Sequence, residues 1–115
     1  MYRFYAYKGC DGCRKARKWL QEHEIAFEEI AIRDSPPSVE ELSQACHTHG
    51  LKRLFNTSGM DYRKLGMKDQ LPKMSESEAL TLLSQNGNLI KRPFLIGAEL
   101  NLVGFKDQVW EESLT

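Results

Sequence analysis

The first third of the chain switches from strand-like to helical spacing of apolar residues and back again. The aromatic-rich stretch Tyr2–Tyr7 is typical of a β-strand and is followed by a Lys-Gly pair. Ala16, Trp19 and Leu20 then follow the i, i+3, i+4 spacing of an amphipathic helix. Apolar residues within 25–32 recur at roughly alternate positions, which predicts a second strand. Together these patterns predict a right-handed β-α-β unit with a parallel pair of strands.

The middle of the chain shows helical rather than strand patterns. Ser38 and Glu41 have the spacing of a capping box, which predicts a helix that runs to about His49 and stops at Gly50. Three shorter helices are expected after it, at 51–55, at 61–65, and from Ser75 or Glu76 to Gln85.

Strand patterns return near the end of the chain. Phe94–Ile96 and Asn101–Val103 flank a short Gly-Ala-Glu-Leu connection, which predicts an antiparallel hairpin. A last helix is expected over residues 106–112. We therefore expect residues 1–115 to form one α/β domain with a mixed four-stranded sheet, and with a helical block inserted at about residues 37–88.

Charge and composition exclude several classes of protein. Sixteen basic residues balance sixteen acidic ones, so the chain lacks the basic excess on which direct nucleic-acid binding depends. No apolar run approaches the roughly 20 residues that cross a bilayer, and the first residues lack a signal-peptide pattern. We expect a cytoplasmic monomer that binds neither nucleic acid nor membrane.

The candidate chemistry lies in the sequence YKGCDGCRKA, where Cys10 and Cys13 stand at the predicted junction of strand and helix. Helix amides and the positive end of the helix dipole point at the first sulfur there and favour its thiolate, the nucleophilic form. Cys13, one helical turn later, is placed to attack a mixed disulfide on Cys10. Lys8 and Arg14 add positive potential, and Asp11 opposes it. The pattern predicts a nucleophile, Cys10, and a resolving thiol, Cys13.

Two other interpretations of the cysteine pair stay open. With Cys46 and His49 the pair formally makes a Cys₃His zinc set, although the two halves are further apart than the roughly 12–20 residues usual between such pairs. Alternatively, both cysteines are inert small residues that line the start of a helix. Cys46 itself is expected to be a buried thiol without a function.

Motifs along nearly the whole chain together resemble the arsenate reductase–like family, which also contains the Spx-type regulators. These motifs are YKGCDGCRKARKWL, PPSVEEL, LFNTSGMDYRKLGMKDQLPKMSESEAL, LIKRPFLI and LVGFK. The resemblance implies a thioredoxin-like fold, in which Pro93, after Arg92, stands where such folds place a cis-proline beside the active thiol. It also implies that Cys10 is the nucleophile.

The resemblance further implies a thiol-disulfide oxidoreductase without a bound cofactor, reduced by an external thiol such as glutathione, glutaredoxin or thioredoxin. Arg92 and Arg14 match arginines of the family's reductases, and Arg92 would bind an oxyanion through bidentate contacts. Two further oxyanion-binding arginines are replaced, one by Asn56 and one by Lys106. Lysine lacks the planar fork of a guanidinium, so the sequence does not predict arsenate as the substrate.

A second hypothesis follows from the Spx-type regulators, which share the Cys-x-x-Cys motif at this place. In those regulators the cysteine pair is used as a redox switch while the regulator binds RNA polymerase, and the resemblance implies the same for this chain. On this hypothesis the chain is a redox-sensing regulator rather than an enzyme. Against it, the basic residue that those regulators carry in the middle block has no match around residues 56–59.

Overall fold

The computed structural model describes residues 1–115, and its four strands form one mixed sheet. The strands are β1 (Tyr2–Ala6), β2 (Phe27–Ala31), β3 (Phe94–Ile96) and β4 (Asn101–Val103), in the order β2-β1-β3-β4. β1 is parallel to β2, whereas β3 is antiparallel to both β1 and β4. The predicted fold class, α/β with a mixed four-stranded sheet, is confirmed.

Six α-helices complete the fold. α1 (Asp11–Glu22) connects β1 to β2, and α6 (Asp107–Leu114) follows β4. Between β2 and β3 lie α2 (Val39–His49), α3 (Met60–Lys64), α4 (Met67–Gln70) and α5 (Glu76–Gln85), with 3₁₀ turns at Lys52–Leu54, Leu71–Lys73 and Gly87–Leu89. None of the helices is both long enough and apolar enough to span a membrane.

The main differences from the predicted elements lie in the shortest ones. The helix expected at 51–55 is only a three-residue 3₁₀ turn, and α4 was not predicted. Four residues are about one helical turn, which is too short for an apolar period to show in the sequence. The second strand is also shorter than the predicted 25–32: residues 25 and 26 precede it without regular structure, and Ile32 lies in the turn that follows it.

Side-chain caps define where the two longest helices of the middle block begin. The Ser38 hydroxyl accepts the N–H of Glu41 at 3.2 Å, and the Glu41 carboxylate accepts the N–H of Ser38 at 3.0 Å. Ser75 and Glu78 repeat this reciprocal arrangement at the start of α5, at 3.1 and 2.9 Å. Each box satisfies two amides that a helix start otherwise leaves without partners.

The sheet separates two hydrophobic cores, because successive side chains of a strand point to opposite faces. On the α1 face, Phe4 of β1 and Leu95 of β3 pack with buried residues of α1 and with Trp110 of α6. On the other face, Tyr5 and Phe94 belong to a larger core with the helices between β2 and β3. Both cores therefore hold the same two central strands.

Strand directions bring distant parts of the sequence to one edge of the sheet. β1 ends at this edge, close to Cys10, and the antiparallel β3 begins there, directly after a cis peptide bond between Arg92 and Pro93. β4 also ends at this edge, where the N–H of Gly104 donates to the carbonyl of Pro93 at 2.8 Å. The residues predicted to carry chemistry thus lie at one end of the sheet.

Alanine at Gly87 tests how tightly the segment before β3 packs on the end of β2. A Cβ atom there would lie 1.9 Å from the carbonyl oxygen of Ile32, so one of the two backbone segments must move. We expect Gly87→Ala to lower the free energy of unfolding, measured by urea denaturation, by about 1–3 kcal/mol.

Gly12→Ala is the matched control, because a Cβ atom at Gly12 meets no heavy atom closer than 3.7 Å. In a helix, alanine is favoured over glycine, so this variant should be as stable as the wild type or up to about 1 kcal/mol more stable. Equal stability of the Gly87→Ala protein and the wild type would contradict the close contact.

Candidate thiol site

Cys10 is the N-cap residue of α1, and its side chain is half-buried. Its backbone is extended, and its own N–H donates to the carbonyl of Tyr7 at 3.2 Å. Its Sγ accepts the N–H of Cys13, also at 3.2 Å. The sulfur therefore takes the place of the Ser, Thr, Asp or Asn oxygen that usually caps a helix, and the amide and the helix dipole stabilise negative charge on it.

Cys13 is fully buried, at 0% exposure, on the side of α1 that faces the sheet. Burial, followed by the hydrogen bond with the Cys10 thiol, raises the pKa of Cys13 to about 12, although the positive charge of Arg92 acts in the opposite direction. The Cys13 thiol is therefore protonated at neutral pH. Both cysteines are free thiols in this structure.

Pro93 is buried against the start of α1. A Cβ atom on Gly12 would lie 3.7 Å from the Cδ of Pro93 and 3.9 Å from the Sγ of Cys10. The proline ring and the Cys10 sulfur thus lie on the same side of the first helical turn. The structure brings together Cys10, Cys13 and Pro93, as the sequence analysis expects of a site built on these residues.

The ring of Tyr7 has two guanidinium groups close to it. The Cζ atoms of Arg33 and Arg92 lie 3.7 and 5.0 Å from the ring centroid. Neither arginine forms an ion pair with a carboxylate, since the ion pairs of this chain involve other cations. The Tyr7 ring therefore holds two guanidinium groups that have no carboxylate partner, and the Tyr7 carbonyl accepts the N–H of Cys10.

Tyr7 and Arg33 are parts of this site that the sequence patterns did not indicate. Tyr7 was assigned only to the first strand, and Arg33 lies between the predicted second strand and the capping box at Ser38, where no chemistry was predicted. One signal was available for Arg33: it follows a parallel strand directly, and ligands of α/β sheets commonly bind at the carboxyl ends of such strands.

Lys8 and Arg14 differ in whether a carboxylate pairs with them. The Arg14 guanidinium pairs with the carboxylate of Asp11 in the same helical turn, and both side chains are largely exposed, at 66% and 76%. Part of the positive potential expected from Arg14 is therefore offset by Asp11. Lys8 is exposed and has no ion pair, and it lines a cleft together with Tyr7 and Arg33.

Lys106 and Asn56, which the motif resemblance matches to two arginines, lie in different surroundings. Lys106 is the exposed N-cap residue of α6 and lines a small cavity of about 100 Å³ with Arg53 and Gly104, at the Pro93 edge of the sheet. The Asn56 amide nitrogen is only 2.7 Å from the position of a Cβ atom on Gly59, so this side chain folds over its own turn.

The four residues of the formal Cys₃His set do not come together. The Cys46 thiol, in α2, hydrogen-bonds the Glu76 carboxylate at 3.5 Å, and a ring nitrogen of His49 lies 3.0 Å from the carbonyl of Asn101. In residues 1–115, no three His, Cys, Asp or Glu side chains are grouped so that they could hold a metal ion. In this structure, the Cys46 thiol and the His49 ring therefore have hydrogen-bond partners other than the Cys10–Cys13 pair.

Alkylation should distinguish the two cysteines of the pair. Because the pKa of Cys13 is raised to about 12, its unreactive thiol form persists to higher pH, and its burial also blocks the reagent. At pH 8, we expect iodoacetamide to modify Cys10 and to spare Cys13, as measured by peptide mass spectrometry. All three cysteines should react in guanidinium, which is the control. Equal modification rates of Cys10 and Cys13 in the folded protein would contradict the described geometry.

Comparison with known proteins identifies relatives that match most of the chain. It is 50% identical over 112 residues to an uncharacterized protein, YusI, of Bacillus subtilis, which covers 96% of this chain and 95% of that protein. It is 36% identical over 110 residues to the global transcriptional regulator Spx of Enterococcus faecalis, over 93% of this chain and 81% of the regulator.

A solved structure and a family model agree with these relatives. A Bacteroides fragilis protein, described as related to the ArsC family, superposes with a TM-score of 0.89 at 41% identity, covering 96% of this chain and 95% of that one. The model of the ArsC family matches residues 5–113. The resemblance found in the motifs is thereby confirmed, and this chain belongs to the ArsC family, whose arsenate reductase–like members have a thioredoxin-like fold.

Proposed function

We propose that this protein is a thiol-disulfide oxidoreductase in which Cys10 is the nucleophile and Cys13 is the resolving thiol. The observation that carries the proposal is the 3.2 Å hydrogen bond from the N–H of Cys13 to the Sγ of Cys10 at the start of α1. Membership of the ArsC family supports it, because the resemblance implies a nucleophilic cysteine at this position.

In the first step, the Cys10 thiolate attacks one sulfur of an oxidised substrate, RS–SR′. A bond forms between Cys10 Sγ and that sulfur, and R′S⁻ leaves with the electron pair of the broken S–S bond. The helix amide and dipole at Cys10 stabilise the attacking anion. Arg92, near Tyr7, supplies positive charge for an anionic substrate or leaving thiolate.

In the second step, Cys13 attacks the Cys10 sulfur and displaces RS⁻. The leaving thiolate accepts the proton that Cys13 loses, and the product is a Cys10–Cys13 disulfide. The hydrogen bond and charge of Cys10 contribute to the raised pKa of Cys13, so modification of Cys10 removes part of what keeps Cys13 protonated. This favours attack by Cys13 only after an adduct has formed on Cys10.

The cycle closes when an external thiol system reduces the Cys10–Cys13 disulfide. Glutathione with glutaredoxin, or thioredoxin, would supply the two electrons, and no bound cofactor is required. Arsenate itself is not proposed as the substrate, because Asn56 brings no charge and Lys106 lacks a guanidinium fork where family reductases have arginines.

A second candidate function is that of a redox-sensing regulator. The observation in its favour is the 36% identity with a protein named global transcriptional regulator Spx, over 93% of this chain. On this proposal, oxidation of Cys10 and Cys13 would change the affinity of the chain for RNA polymerase rather than turn over a substrate.

Single cysteine variants test the proposed roles. With Cys10→Ser, we expect the rate of disulfide reduction with a glutathione or thioredoxin system to fall by at least about a hundredfold, because the attacking atom is lost. With Cys13→Ser, a mixed disulfide on Cys10 should accumulate and be visible by mass spectrometry. Cys46→Ser is the matched control and should turn over like the wild type. Unchanged turnover of Cys10→Ser would refute the assignment.

One assay tests the substrate, and a second assay separates the two candidate functions. An arsenate reductase assay, run beside a measured reduction potential of the cysteine pair, tests oxyanion turnover. Capture of purified RNA polymerase under reducing and oxidising conditions tests the regulator: redox-dependent capture without disulfide turnover would favour it over the enzyme.

A further inference from the structure

Arg33 is held beside the candidate site by the ring of Tyr7. It follows β2 by two residues, and its guanidinium carbon lies 3.7 Å from the ring centroid, which is stacking distance. Arg92 approaches the same ring at 5.0 Å, so the two guanidinium groups are less than about 9 Å apart, the sum of these distances. Two like charges held this close, without a carboxylate partner, favour an anion near them.

A cleft of about 480 Å³ opens beside Arg33, where the parallel strands β1 and β2 end. Tyr7 and Lys8, which line it, precede Cys10 by three and two residues in the sequence. Two carboxylates also line it: Glu29, which Arg17 holds in a bidentate pair at 2.6 and 2.8 Å, and Asp34, which has no ion pair.

The charges of this cleft therefore favour an anion. Glu29 is neutralised by Arg17, which leaves two unpaired cations, Lys8 and Arg33, against one unpaired carboxylate, Asp34. Arg92 does not line the cleft, but its guanidinium lies 5.0 Å from the centroid of the same tyrosine ring. A volume of about 480 Å³ is within the range of small-molecule sites, roughly 300–1,000 Å³.

We infer that this cleft binds the carboxylate end of a small thiol or disulfide while its sulfur reacts with Cys10, and that Arg33 selects for that carboxylate. The inference rests on the proposed function of Cys10. A guanidinium suits this role because its planar fork binds a carboxylate through two hydrogen bonds. The tyrosine ring keeps Arg33 in one position, which reduces the entropy lost when a ligand binds.

Arg33 acts on binding and does not take part in the exchange of sulfur bonds. Its removal should therefore slow the reaction of Cys10 only with disulfides that carry a negative charge. Removal of the negative charge of Asp34 should instead speed the reaction of Cys10 with negatively charged disulfides.

Three disulfides of similar size test the inference on the Cys13→Ser protein, in which the mixed disulfide on Cys10 persists. They are bis(2-carboxyethyl) disulfide, a dianion; bis(2-hydroxyethyl) disulfide, which is neutral; and cystamine, a dication. The second-order rate of mixed-disulfide formation is followed by mass spectrometry of quenched samples.

We expect Arg33→Gln to slow the reaction with the dianion by about three- to tenfold, as suits an exposed charged contact, and to change the neutral reaction by less than about twofold. Asp34→Asn should speed the reaction with the dianion. Arg63→Gln removes an exposed arginine of α3 outside the cleft, and this matched control should change none of the three rates.

The outcomes separate this inference from the proposed function. If Cys10 reacts with the disulfides but Arg33→Gln affects all three equally, or none, then Arg33 does not select for a carboxylate and the inference is wrong, while the role of Cys10 stands. If Cys10 reacts with none of the three, the proposed function fails, and the inference fails with it.

Discussion

The pairing of β1 with a parallel strand on one side and an antiparallel strand on the other decides where every element of the site lies. Parallel pairing with β2 puts the ends of β1 and β2 at one edge of the sheet, and with them Cys10 and Arg33. Antiparallel pairing with β3 puts the start of that strand, and so Arg92 and Pro93, at the same edge. The pairing of the strands thus brings Gly12 within contact distance of Pro93, although the two residues are more than 80 positions apart in the sequence.

The distribution of charge shows why the overall composition gives little information about binding. The chain has no net charge, yet cations without ion pairs collect at the edge of the sheet that holds Cys10. Elsewhere, opposite charges compensate each other, as in the pairs of Arg17 with Glu29 and of Arg3 with Glu41. Neutrality on average is compatible with a local field strong enough to select substrates by charge.

Local signals were sufficient for the elements that carry the site. The aromatic strand, the helix after Cys10 and the capping box at Ser38 depend on residues close together in the sequence, and all three are present. The contact of Arg33 with Tyr7 depends on the register of β1 with β2, which no short window of sequence encodes. The environment of Asn56 likewise depends on how its turn folds, so matching its position to a family arginine could not locate its side chain.

Since a cysteine caps α1, the helix start and the redox chemistry proposed for Cys10 share one hydrogen bond. Whatever covalent change Cys10 undergoes also changes the acceptor available to the N–H of Cys13. By thermodynamic linkage, any difference in helix stability between the reduced and oxidised forms must appear, with equal size, in the equilibrium between those forms. If Cys10 changes oxidation state as proposed, hydrogen exchange at the N–H of Cys13 should therefore report that change.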